Sequence, residues 1–324
     1  MNDTARYLLS RLVTTALIVL GAMLLLFTLS AIVPGDPATA LLGPQATPEY
    51  AKRFIMEMGL DQPWYRRLFI FLGNLLVGNL GTDVLSGRPV TAIVGAVIPY
   101  TFILTFASIG LAVLIGVPLG CYAATHRGSV ADHALAFVSV AFIAIPSFVI
   151  AIFLLLIFSI WLDWLPVLGA GEAGNWADQA KRLILPTTAL SVGWIGFIAR
   201  LVRSSMLEVM GESYIRTARA YGLSNSMVTY KYALKNACIP TIAVLGMGIG
   251  RLLGGAVLVE IVFARPGLGR LIFDAIATRN FPVLQGAVLV VVLIFVVTNL
   301  LVDLSYSAID PRIRRNTTSE RAGR

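Results

Sequence analysis

Long apolar runs separated by short polar segments dominate the pattern of this 324-residue chain. A helix needs about 20 consecutive apolar residues to cross the hydrocarbon core of a bilayer. Runs of that length recur, and they predict an all-α polytopic membrane protein with six transmembrane helices. The six predicted spans are Leu12–Val33, Tyr100–Ala124, Ala134–Leu162, Leu183–Val202, Ala237–Phe263 and Val283–Ser307.

These spans divide the chain into four predicted regions. Residues 1–33 form an N-terminal segment with the first transmembrane helix, and residues 34–99 form a long external loop region. Residues 100–307 form a five-helix core that includes a basic loop at 203–236, and residues 308–324 form a polar tail. The first span follows Arg6 and Arg11, as in a signal peptide. Its apolar run is about twice as long as a signal-peptide core, so we expect a retained anchor.

Composition supports the membrane class. Hydrophobic residues make up 57% of the chain and charged residues only 13%, whereas about a quarter of the residues of a soluble domain are charged. The net charge of +8 raises the alternative of nucleic-acid binding. Basic loops beside membrane spans explain that charge more simply, so no nucleic-acid partner is expected.

The distribution of lysine and arginine predicts the orientation. With six spans both termini lie on one side, and that side collects fourteen of the basic residues, against five in the short loops opposite. Short cytoplasmic loops carry the excess of basic residues, while long loops cross largely regardless of charge. Both termini and the basic loop 203–236 are therefore predicted to be cytoplasmic.

The basic loop contains a helix–glycine–helix pattern. A short helix is predicted at Tyr214–Tyr221, with Gly222 as a left-handed residue that closes it and Leu223 following as in a Schellman ending. Ser224 or Asn225 then caps a second helix that runs into the fifth span. Two interpretations remain open at this point: a solvated amphipathic loop, or a rigid docking elbow for a cytoplasmic partner.

The residues of this loop carry a resemblance to a known family. RTARAYG at Arg216–Gly222 resembles the EAA loop of the permease subunits of ABC importers, and Ala218, Gly222 and Leu234 lie in register with it. Arg216, Thr217, Tyr232 and Lys235 depart from the general motif, and the TARA-x-GL form resembles the dipeptide/oligopeptide/nickel branch. Further stretches are similar to that branch: VPGDP at 33–37, GLDQP at 59–63, FARPGLGRL at 263–271 and DPRIR at 310–314.

This resemblance implies a type I ABC importer-like permease of the bacterial cytoplasmic (inner) membrane, the first of two paired permeases. It implies transport of dipeptides or oligopeptides with a second homologous permease, two ABC ATPase subunits and an extracytoplasmic substrate-binding protein. ATP and Mg²⁺ are expected on the ATPase subunits, with no cofactor or metal in this chain. The residues expected to couple to the ATPase subunits are Arg216, Ala218, Arg219, Ala220, Tyr221, Gly222, Leu223 and Ser224.

Two other places are candidate sites. Arg251 lies within a predicted span among glycines, where a guanidinium must face protein or water. We expect either a buried ion pair with Glu260 or Asp303, or a place on the wall of the translocation pathway. The PGLG stretch combines a fixed-φ residue with glycines that permit positive φ, which predicts a surface hinge. The resemblance implies an external gate or a binding-protein contact formed by Arg265, Pro266, Gly267, Leu268 and Gly269.

Enzymatic function is not predicted. None of the four lysines follows a glycine, so the phosphate-binding Gly-Lys-Ser/Thr sequence is absent from this chain. An open alternative is that the same kind of transporter carries nickel, glutathione, an opine or another small solute. The motifs identify the transporter family but not the solute that it carries. An alternative of another class is an ATPase-independent channel or secretion factor.

Overall fold

The computed structural model describes residues 3–32, 47, 49, 55, 56, 61–172 and 174–309, and the side chains of residues 3–10, 12, 243, 247, 251 and 302–309 are outside this description. The motifs predicted at 33–37 and 310–314 and the first two residues of GLDQP therefore lie outside the described residues. The described part is helical apart from turns and one isolated bridge between Thr82 and Pro89.

The described elements follow one another as eleven α-helices and two π-helical segments. They are α1 Asp3–Ile32, α2 Trp64–Leu76, α3 Val90–Thr125, α4 Val130–Ala144, α5 Ser147–Leu154, π1 Leu155–Trp161, α6 Trp176–Val209, α7 Ser213–Ala220, π2 Met227–Ala233, α8 Leu234–Ala237, α9 Ile239–Val262, α10 Leu268–Ala277 and α11 Phe281–Ile309.

Five helical stretches of the described chain are long and apolar enough to cross a membrane, and a sixth is counted if α4 with α5 and π1 forms one span. The predicted all-α polytopic class is confirmed. The second and fourth helices are longer than predicted, because α3 begins ten residues before Tyr100 and α6 extends to Val209. The added end of α6 carries Arg203 and Glu208, which hydropathy excludes from a span, whereas the ten added residues of α3 are mostly apolar and continue the same helix.

The third predicted span is wrong as a single straight helix. The chain bends by 97° between α4 and the helix formed by α5 and π1. Ile145 has an extended backbone with ψ of 122°, and Pro146 follows it. Proline has no N–H and disfavours helical conformation at the preceding residue, so the helix stops at Ala144 and restarts in a new direction at Ser147.

The chain divides into two compact units, residues 1–101 with 266–297 and residues 102–265 with 298–324. In the first unit α1, α2, the start of α3, α10 and α11 share one apolar cluster, which includes Phe27, Phe71, Val94 and Leu289. In the second unit α6 is central and packs against α4, α5 and α9. Gly196 of α6 brings its Cα close to the backbone of Ser139 in α4, where a Cβ would come within 2.8 Å of the carbonyl oxygen.

A turn at 81–90 is fastened within the first unit through Asp83. Its carboxylate accepts hydrogen bonds from the backbone N–H groups of Leu85 and Ser86, both at 3.1 Å, and from the side chains of Ser86 and Asn280. Burial acts to raise the pKa of the Asp83 carboxyl, but these hydrogen bonds outweigh it and hold the pKa below its ordinary value. The turn therefore leads into α3 from a fixed position beside the start of α11.

Candidate coupling site

The basic loop forms a short amphipathic helix with one buried edge. In α7, Ile215 and Ala218 are buried and lie three residues apart, which places them on the same face. They belong to an apolar cluster with Val202 and Met206 of α6. This packing fixes α7 against the end of α6 and leaves the opposite face of α7 available to a partner.

The exposed face is basic and aromatic. Arg216, Arg219 and Tyr221 are exposed, and Tyr221 is 83% exposed. Lys231 and Lys235 are also exposed, in the segment that follows. A surface of guanidinium groups and an aromatic ring fits a partner that offers carboxylates beside an apolar pocket, since arginine and tyrosine are the residue types that dominate binding energy at interfaces.

The end of α7 is a Schellman motif, as predicted. Gly222 has φ of +75°. Its N–H donates to the carbonyl of Arg219 at 2.9 Å, and the N–H of Leu223 donates to the carbonyl of Ala218 at 3.3 Å. These are the two hydrogen bonds that define the motif, and Leu223 packs on the cluster that contains Ala218. The prediction that Gly222 needs positive φ is confirmed.

The second helix of the loop begins at the predicted cap but has a different form. The hydroxyl of Ser224 accepts a hydrogen bond from the N–H of Met227 at 3.4 Å. The chain then forms π2 and the short helix α8 before α9 begins at Ile239. The amide of Asn236 donates to the hydroxyl of Tyr214 at 2.7 Å. This hydrogen bond joins the two arms of the loop, so the segment Ser213–Ala237 is one braced elbow, hereafter the coupling elbow.

A charged pair that sequence reasoning missed supports the end of α6. Arg203 donates two hydrogen bonds to the carboxylate of Asp132, one of them at 2.7 Å from Nη2 to Oδ2. The same carboxylate accepts the N–H of Gly128 at 3.0 Å. Asp132 is buried, and 71 residues separate the two partners in the chain. In the sequence, Asp132 and Arg203 are opposite charges at the ends of two apolar runs. Their positions along the chain do not show that they contact each other.

The candidate external segment has a different geometry from the one predicted. Arg265, Gly267, Leu268 and Gly269 are buried, and Pro266 is half-buried. Gly267 has an extended backbone with φ of 177°, and Gly269 lies within α10. These two glycines permit positive φ but do not adopt it. The positive φ of this segment, +46°, belongs to Ala264.

The start of α10 is capped from another helix. Leu268 donates its backbone N–H to the hydroxyl of Thr101 in α3 at 2.9 Å, and both residues are buried. Gly267 itself contributes no side-chain cap. The contact with a binding protein expected for this segment stays a prediction.

Arg251 lies in α9, three residues after Gly248. A Cβ on Gly248 would come within 2.2 Å of the Trp194 ring of α6, so this turn of α9 packs closely on α6. The side chain of Arg251 is outside the described residues, and so is that of Asp303, whereas Glu260 is fully buried. Both interpretations of Arg251 stay predictions.

Comparisons with known proteins agree with this geometry. Residues 116–315 match the family model described as the binding-protein-dependent transport system inner membrane component, and residues 4–104 match its N-terminal counterpart. A solved structure of the MetNI methionine ABC transporter in an inward-facing conformation aligns with a TM-score of 0.56 at 20% identity. The alignment covers 67% of this chain and 96% of the solved chain, so the two chains share the same fold.

Curated relatives match over nearly the whole length. A protein of Sinorhizobium fredii named "Probable peptide ABC transporter permease protein" is 40% identical, over 95% of this chain and 99% of its own. A dipeptide transport system permease of Alkalihalophilus pseudofirmus is 36% identical with the same coverage. A glutathione transport system permease of Pectobacterium atrosepticum is 38% identical, over 95% of this chain and 98% of its own. The chain belongs to the inner-membrane components of binding-protein-dependent transport systems and is a multi-pass permease subunit.

Proposed function

We propose that this permease imports dipeptides or oligopeptides and forms half of the translocation pore beside a second, homologous permease. The relatives named for peptide and dipeptide transport support this cargo, since they align with the chain from end to end. Two ABC ATPase subunits dock on the cytoplasmic face, and an extracytoplasmic binding protein delivers the peptide from outside. ATP and Mg²⁺ bind to the ATPase subunits rather than to this chain.

The coupling elbow carries the proposal. Its buried edge at Ile215 and Ala218 is tied to α6, while its basic face projects from the fold. A rigid element with one fixed edge and one free face transmits a push from a partner to the helix that holds it. ATP-driven closure of the ATPase subunits moves the elbow, and α6 and α9 move with it between outward- and inward-facing states. Unequal binding of ATP and peptide to these states supplies the directionality.

The proposed orientation places both termini and the coupling elbow in the cytoplasm. The excess of lysine and arginine on that side of the spans supports it. A reporter enzyme that is active only outside the cytoplasm should be silent when fused at Ser224 and active when fused near Gln62. Activity at Ser224 would overturn the orientation and the ATPase docking together.

Two further roles complete the proposal. Arg251 contributes to the pathway wall in α9, where its guanidinium attracts the carboxylate of a peptide. The segment Arg265–Gly269 lies near the external mouth and shapes the surface that meets the binding protein. Because most of this segment is buried, its contribution there is to hold the neighbouring exposed residues in place.

Glutathione is the second candidate cargo, because a relative named for glutathione transport matches at 38% identity. Glutathione is itself a small peptide with free carboxylates, so one pathway chemistry serves both cargoes. Nickel, opines and other solutes are less favoured alternatives. An ATPase-independent channel or secretion factor is the alternative of another class.

The test is reconstitution of the complete complex with its partner permease, its ATPase subunits and its binding protein. We expect ATP hydrolysis to rise when the binding protein carries a di- or tripeptide, and uptake of that labelled peptide to require ATP. Stimulation by glutathione alone would transfer the proposal to the second cargo. Conduction by this chain without ATPase subunits would overturn the importer mechanism.

A further inference from the structure

Helix α2 is apolar on more of its surface than the fold covers. One face buries Leu68 and Phe71 against α1 and the rest of the first unit. A neighbouring stripe formed by Tyr65, Phe69 and Leu76 is exposed, with Phe69 72% and Leu76 89% exposed. These three residues lie at i, i+4 and i+11, so they line one side of the helix. In water such a stripe is unfavourable, and something apolar is expected to cover it.

The contact between α2 and α1 indicates what covers this stripe. The rings of Phe71 in α2 and Phe27 in α1 lie 5.7 Å apart between centroids. Phe27 lies five residues before the end of α1 at Ile32, which corresponds to about 7.5 Å along the helix axis. Amphipathic helices at membrane surfaces bury their apolar faces about 5–10 Å below the boundary between headgroups and acyl chains. Phe71 of α2 thus packs inside the apolar stretch Val13–Ile32 of α1, about as far from its last residue as such a helix lies below that boundary.

The neighbouring surface of α1 is apolar as well. Leu17, Leu24 and Leu25 of this candidate span are exposed, and apolar side chains on the outside of a spanning helix suit contact with lipid. At the N-terminal end of α2, Trp64 and Tyr65 make an edge-to-face pair with centroids 6.0 Å apart, and the exposed Arg66 follows them. Aromatic rings and arginine at the end of an apolar helix are typical of the headgroup layer.

We propose that α2 is a membrane-embedded anchor whose stripe of Tyr65, Phe69 and Leu76 lies against lipid acyl chains beside the end of α1. Its occupant is lipid rather than a partner protein, because α2 packs directly on α1, a helix apolar enough to cross a membrane whose own exposed residues are apolar. The anchor fixes the segment that leads through the Asp83 turn into α3. The outer leaflet is assigned from the proposed orientation, whereas the contact with lipid does not depend on cargo or orientation.

The experiment uses the assembled complex in lipid nanodiscs, with Cys121 and Cys238 replaced by alanine. An environment-sensitive fluorophore is attached at Phe69→Cys or Leu76→Cys. Asn74→Cys serves as the polar control on the same helix, and Leu25→Cys on α1 serves as the lipid reference. Quenching is measured with lipids brominated on the acyl chains and with aqueous iodide.

We expect the labels at positions 69 and 76 to emit at shorter wavelength than the label at 74. Brominated acyl chains should quench them several-fold more strongly than iodide does, as at position 25. Strong iodide quenching at 69 and 76 would mean that α2 lies in water, and protection from both quenchers would mean that protein covers it. Either result overturns the proposal, and neither depends on whether peptides are transported.

Discussion

Two helices of the second unit end with the same hydrogen bonds but different residues. Helix α7 ends with Gly222 at φ of +75°, and α9 ends with Ala264 at φ of +46°. At the end of α9 the N–H of Ala264 donates to Ile261 at 3.0 Å and that of Arg265 to Glu260 at 2.9 Å. This is the Schellman pattern that also closes α7. The backbone geometry is shared, so the difference lies in what supports it.

The surroundings of the two ends differ. A Cβ on Gly222 would meet no other atom within 4 Å, so the turn of the coupling elbow depends on glycine itself. At the end of α9, the neighbours Phe263 and Arg265 are buried, and the carbonyl of Phe263 accepts the N–H of Gly169 at 2.9 Å. Tertiary contacts there hold an alanine in a conformation it disfavours. The exposed turn at Gly222 is specified locally, whereas the buried turn at Ala264 is specified by the fold around it.

The largest effect on transport is expected from replacing Gly222. A left-handed conformation costs an L-residue about 1–2 kcal/mol, which alone disfavours the ordered turn by about tenfold. A β-branched side chain raises that cost. Gly222→Val should therefore insert at near-normal levels but lose transport, because Gly222 is exposed and lies outside the packing of α6 on α4, α5 and α9. The measurement is the ATPase content of the purified complex and its substrate-stimulated hydrolysis.

The matched control is Gly222→Asn, because asparagine adopts left-handed conformations more readily than other non-glycine residues. It should retain most of the transport that Gly222→Val loses. If Gly222→Val keeps full ATPase content, stimulation and uptake, the elbow is a solvated loop and the coupling proposal is wrong.

Effects of intermediate size are expected when the arginine near the end of α9 or the arginine near the end of α7 is replaced. Arg265 is 3% exposed, whereas Arg219 is exposed. Arg265→Met should lower the amount of folded complex, since each buried polar group left without a partner costs about 1–3 kcal/mol. Arg219→Met should leave the amount unchanged and weaken ATPase retention. Size-exclusion chromatography with subunit quantification distinguishes these results. Equal abundance of the two variants would show that the buried arginine matters no more for folding than the exposed one.

The sequence predicted the coupling elbow well because its determinants are local. Gly222 marks the left-handed position, Leu223 supplies the apolar contact, and Ser224 caps the next helix. Each acts within a few residues of its own place in the chain. The approximate positions of the spans were also predictable, since apolar length decides whether a helix can cross a bilayer.

Other features were not predictable in the same way. The bend at Pro146 has a local cause, but a proline does not by itself decide the outcome, since the helix continues through Pro186 in α6. The pairing of Asp132 with Arg203 joins residues that are 71 positions apart. At the end of α9 the glycines of PGLG suggested the left-handed position, but the hydrogen bonds that end the helix place it three residues earlier, at Ala264.

The smallest effect is expected from placing a glycine at the left-handed position after α9, where α7 already has Gly222. Ala264→Gly relieves a left-handed cost of about 1–2 kcal/mol. It also adds conformational freedom to the unfolded chain, which opposes the gain by about 0.5–1 kcal/mol. Thermal unfolding of the purified complex should therefore show a melting temperature at or slightly above that of the parent, with transport unchanged. Ala264→Val is the matched opposite, and it should lower the melting temperature because the valine side chain resists the same conformation. A clear fall for Ala264→Gly would show that the alanine methyl group contributes packing that outweighs its strain. Support of this turn would then come from the side chain of Ala264 itself rather than from Phe263 and its neighbours.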